Sequence, residues 1–179
     1  MSTLTADEEF AIHQKLHRMH IPSGLGTEES ACSIAAINLA LTGRLTDQIP
    51  ACMSEVVGQW IIRVQDAMPD AMRNSDRWKN LLPLAAGTGR EHEQERLKII
   101  LDWMWTTVLP TLQPLADRQG FGEAWRQMTK ERTAAAAEAA AWAAAKAKAK
   151  EAAWAAAWAE AWESFDPCGV LQKLVEVGD

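Results

Sequence analysis

Apolar residues recur at helical spacing through most of this chain and nowhere alternate at the two-residue period of a half-buried strand. The clearest stripe is Met53, Val56, Val57, Trp60, Ile61, Val64 and Met68, at i, i+3, i+4, i+7, i+8, i+11 and i+15. It predicts an amphipathic helix with Pro50 in its first turn and Pro69 as its stop. Upstream, Thr5-Ala-Asp-Glu8 reads as a capping box opening a first helix over about residues 6–19. Thr27 is the expected cap of a second helix, with Glu28 and Glu29 at the positive end of its dipole. That helix is apolar around most of its circumference (Ile34, Ala35, Ala36, Ile37, Leu39), which marks a central element, and Gly43 ends it.

Ser75 is placed to cap a short helix carrying Trp78, Leu81 and Leu82, closed by Gly87-Thr-Gly89. Thr88-Gly-Arg-Glu91 resembles a second capping box. The helix it opens would line one face with Leu97, Ile100, Leu101, Met104 and Val108, until Pro110 and Pro114 break or kink it. Gly120 and Gly122 flank a turn. No Gly or Pro then interrupts the chain until Pro167.

This last stretch changes the picture. More than half of residues 133–162 are alanine, the strongest helix former, and the segment carries Trp142, Trp154, Trp158 and Trp162. An unbroken helix over residues 121–164 would run about 60 Å. Asp166-Pro-Cys-Gly169 should stop it, before a short terminal helix with Val170, Leu171, Leu174 and Val175. The fold expected is all-α: a head of about five antiparallel helices over 1–128, one long alanine-rich helix of low complexity over 129–165, and a short helix or tail over 166–179.

Charge narrows the function classes. The chain carries a net charge of −6. The alanine-rich segment is neutral, and its Lys146, Lys148 and Lys150 have no aromatic groove beside them, which speaks against nucleic acid as a partner. Charges punctuate the segment too often for a membrane span, and they are scattered around the helix axis, which argues against a membrane-surface helix. The three cysteines, Cys32, Cys52 and Cys168, lack metal or redox spacing, and the amino terminus lacks a signal-peptide pattern. A reducing, cytoplasmic setting is expected, with Cys168 the most exposed thiol.

Candidate chemistry is sparse. His13, His17 and His20, at i, i+4 and i+7, would share one side of the first helix, and two such rings can bind one metal ion. The pattern lacks the glutamate of the HExxH motif, and Lys15 and Arg18 oppose a cation. Ser30, Ser33 and Asn38 lie on the apolar second helix with no base or oxyanion motif nearby, so the hydroxyls are expected to bond carbonyls one turn earlier and Asn38 to tie helices together. Neither catalysis nor a cofactor is expected.

The tail offers more. At about 100° per residue, Trp154, Trp158 and Trp162 form one contiguous stripe, while Trp142 points elsewhere. Each indole offers about 150–250 Å² for burial. No sustained heptad accompanies them, so a regular coiled coil is not specified. The reading that follows is a non-enzymatic interaction or assembly protein. Its surface would be Trp142, Trp154, Trp158 and Trp162, and its partner a second copy or another protein. The alternative is a metal protein or small enzyme built on the three histidines.

Overall fold

The computed structural model describes residues 4–147 and 151–178. It is all-helical, with no strand among the described residues beyond one isolated bridge, Gly26 to Ala31. The helices are, in order, α1 Ala6–Arg18, α2 Ser33–Thr42, α3 Glu55–Ala67, α4 Asp70–Arg73, α5 Asp76–Ala86 and α6 Glu93–Trp103. A π-helical turn, Met104–Val108, follows. Then come α7 Leu109–Thr111, α8 Gln113–Arg118, α9 Gly122–Glu131, α10 Ala134–Lys146, α11 Glu151–Phe165 and α12 Pro167–Val175. Two compact units result. The first holds residues up to Ile99 together with those from Pro167 onward, and the second is Ile100–Asp166. The division does not fall at the change of composition near residue 128.

In the first unit α1 packs on α2 and α5, and α12 packs on α5. The core is Ile12, Leu16, Ile34, Ile37, Ile61, Trp78, Leu82 and Leu171, all buried. Full burial of such side chains contributes about 1.5–3 kcal/mol each. Ser33, Gln65, Lys79 and Asn38 are paired within it. Buried Ser33 donates its N–H to Gln65 Oε1 at 2.6 Å and accepts the Trp78 indole N–H at 3.3 Å. Lys79 Nζ donates to the Met19 carbonyl at 2.9 Å, placing a cation at the negative end of α1. Asn38 donates to the carbonyls of Thr46 and Gln48, both at 2.8 Å, and so ties α2 to the loop after it.

Three helix starts differ from the expectation. Thr27 does not cap α2. Residues 27–30 close a turn in which Thr27 N–H donates to the Ser30 carbonyl at 2.8 Å, and the Cys32 sulfur caps the helix instead, accepting from Ala35 N–H. The central stripe begins its helix at Glu55, capped by Ser54, while Pro50 sits in a preceding turn. Thr88 does not open α6; its hydroxyl accepts from Ser54 N–H at 2.9 Å. The Glu93 carboxylate then accepts from Ser54 Oγ at 2.5 Å and Glu55 N–H at 2.8 Å, so the first turn of α6 anchors the start of α3. A remote side chain thus adds to the local Ser54 cap.

The face expected on α6 is corrected as well. Leu97 and Leu101 are exposed, Ile100 and Met104 half-buried, and only Val108 is buried. The inward residue of α6 is Arg96, 2 % exposed. Its Nε donates to the Leu174 carbonyl at 3.1 Å, and its terminal nitrogens donate to the carbonyls of Thr88, Gly89, Glu91 and Val177. Five N–H donors thus meet five backbone acceptors, the full capacity of a guanidinium. Burial holds its pKa below the ordinary arginine value. The π-helical turn after α6 adds a residue to one turn, which shifts Val108 out of phase with Leu97, Ile100 and Leu101.

In the second unit the single long helix is corrected to three. Arg132 takes a left-handed conformation (φ 55°) and Thr133 is extended, its hydroxyl accepting from Ala136 N–H as the cap of α10. The chain therefore turns back, and Met128, Ala136 and Ala140 bury one another against Trp105, Leu109 and Trp125. A left-handed non-glycine residue costs about 1–2 kcal/mol. Burying one methionine offsets that, whereas a straight alanine helix would bury nothing. Cys168 is buried, not exposed, alongside Cys32 and Cys52. Burial pushes the thiols of Cys32 and Cys52 up from their usual range.

Candidate interaction surface

The four tail indoles separate into two environments. Trp154 stacks on Phe121 at 5.8 Å between ring centroids and lies 5.3 Å from Trp125. Trp158 meets Phe165 edge-on at 5.1 Å and Trp162 at 6.1 Å. Trp162 is 4 % exposed and meets Phe165 at 5.5 Å. These three face the aromatic residues of their own unit, held there by α9 and by the end of α11. Trp103 completes the group, edge-on to Phe165 at 6.4 Å. Phe121, the residue before α9, and Trp125 in that helix stand edge-on at 6.1 Å and together receive Trp154.

Trp142 is different: it is 71 % exposed. It stands in the C-terminal half of α10, which buries Ala136 and Ala140 on the opposite side. Glu138 lies one turn before it and Lys146 one turn after, on the same face, with Ala135, Ala139 and Ala145 between and beside them. All six are exposed. Among the described residues, no ion pair within the chain engages Glu138 or Lys146. Lys148 and Lys150, the rest of the lysine group, lie outside the described residues.

The histidines do not share one helical face. His13 and His17 remain on α1, their rings 4.3 Å apart, but α1 ends at Arg18 and His20 lies in the extended segment beyond. His17 Nε2 is 2.9 Å from Asn80 Oδ1 on α5, and His20 Nε2 is 3.0 Å from Asp70 Oδ1 on α4. Two of the rings thus bridge different helices of the first unit, and no group of three metal-ligating side chains forms among the described residues. His92 is left-handed (φ 61°), just before α6, with its Nδ1 3.2 Å from Glu95 Oε1.

An open cleft of about 500 Å³ in the first unit is bordered by Glu9, Glu91, His92, Arg96 and Glu176. Its one buried cation, Arg96, has all five donors committed to carbonyls, so no donor is left for an anionic ligand. No helix among the described residues is long and apolar enough to cross a membrane. In comparisons with known proteins, no family model, no curated protein and no solved structure matches this chain.

Proposed function

We propose that this chain is a non-enzymatic helical association protein that contacts a second copy of itself or another protein through the indole-bearing face of α10. The observation that carries the reading is the 71 % exposure of Trp142 on a helix whose other face is packed. Trp154, Trp158 and Trp162 support it indirectly, by fixing α11 within the second unit rather than by meeting the partner. The burial of Cys32, Cys52 and Cys168 supports the cytoplasm as its working compartment.

Magnitude sets the kind of contact. Covering the exposed part of one indole removes on the order of 150 Å² from water, or about 3–4 kcal/mol at ~25 cal/mol per Å². A micromolar complex requires about 8 kcal/mol. Neighbouring residues must supply the rest, and the contact belongs with weak, transient interfaces.

Light-scattering mass of the full chain over a concentration series, beside Trp142→Ala, tests this. Mass that rises with concentration in the parent but not in the variant is the expected result. Identical behaviour of the two would overturn the reading for self-contact.

A further inference from the structure

Resting on that association reading, we propose that the partner is a second copy of this chain, its α10 laid antiparallel against the first about a two-fold axis at Trp142. In an antiparallel pair centred there, the position k residues before Trp142 faces the position k residues after it in the other copy. The face is self-complementary under this operation. Glu138, four before, meets Lys146, four after, and the exchange occurs twice by symmetry. Ala139, three before, meets Ala145, three after, so small side chains flank the crossing point and leave room for the indoles there. The two indoles then cover one another at the axis.

A parallel pair fails the same examination: it sets Glu138 against Glu138 and Lys146 against Lys146. Within one chain the two charges cannot satisfy each other, because eight residues separate them by about 12 Å along the helix. The occupant that answers both charges and the alanine spacing at once is another α10 running the opposite way.

Sedimentation velocity on the full chain tests the pairing, with Glu138→Lys, Lys146→Glu and Trp142→Ala as variants. All three sites are exposed on an alanine-rich helix, and unchanged far-UV circular dichroism certifies the fold. Either single reversal creates two like-charge contacts across the axis and is expected to weaken dimerisation at least about tenfold. Mixing the two single variants aligns opposite charges again and is expected to restore dimers. Trp142→Ala should abolish them.

Reversals that leave the dimer unchanged while Trp142→Ala abolishes it would overturn the antiparallel pairing and leave the association reading standing. A parent chain that stays monomeric at every concentration would overturn the pairing and self-contact together.

Discussion

The indole nitrogen of Trp103 donates to the carbonyl oxygen of Phe165 at 2.7 Å, joining the two ends of a continuous stretch 62 residues apart in sequence. Phe165 is the last residue of α11, and its carbonyl is one of the orphan acceptors every helix leaves at its C-terminus. The hydrogen bond and the edge-on ring contact at 6.4 Å therefore fasten the second unit where it begins and ends. Trp103→Phe keeps an aromatic ring but removes the donor. A loss of about 1–3 kcal/mol is expected in urea denaturation, with faster amide exchange in the last turn of α11.

Arg96 gives a second, sharper test. Arg96→Lys retains the charge but offers at most three donors to five carbonyls. At about 1–3 kcal/mol for each buried acceptor left unsatisfied, the variant should lose roughly 3 kcal/mol or more, although charge is conserved. Limited proteolysis should find α12 cleaved early in the variant and late in the parent, since two of the five carbonyls belong to Leu174 and Val177.

Gly24 and Gly26 are both left-handed, at φ 74° and 79°, yet only one is crowded. A Cβ on Gly24 would meet nothing within 4 Å, while on Gly26 it would lie 2.0 Å from the Ser30 carbonyl. Gly24→Ala should cost only the backbone penalty of about 1–2 kcal/mol. Gly26→Ala must in addition open the 27–30 turn that leads into α2, and it should be clearly the more destabilised in parallel thermal melts.

Glu8 predicts a pH effect of definite sign. Its carboxylate accepts from Thr5 N–H at 2.8 Å, and that bond holds its pKa below the usual glutamate value. A depressed folded-state pKa means stabilisation that is complete above the unfolded value and is lost as pH falls through the folded one. Glu8→Gln should therefore lower the thermal midpoint at about pH 7, and the gap should shrink as pH falls through the folded-state value. A gap that widened in acid would refute the assignment.

Much of the fold was legible where a local interaction decides it. Thr5, Ser75, Gly43, Pro69 and Gly87 mark boundaries through their own side chains or their own backbone freedom, and each stands where expected. The failures share one cause. Glu93 anchors the start of α3 from 39 residues away, and Thr88 turns to Ser54 rather than to its own helix. Neither partner can be seen from spacing alone. The long alanine helix was misread for a related reason: propensity favours continuing it, but Met128 gains more by turning the chain back on itself. At the candidate surface, the angular separation of Trp142 from the other three indoles was visible, but the stripe of those three was expected to carry the contact. That those three are consumed by Phe121, Trp125 and Phe165 was not visible, because it depends on the turn at Arg132 and Thr133.

The first unit is discontinuous in sequence, and this has a consequence for synthesis. The second unit lies wholly between residues 100 and 166, so its complete sequence leaves the ribosome before α12 does. Until residue 167 emerges, α5 waits for α12, and the Arg96 guanidinium has neither Leu174 nor Val177 to donate to. The part of the molecule that is started first is thus the last to be finished. A nascent chain with residue 166 emerged and α12 still inside the ribosome would have a closed second unit and an unclosed first one.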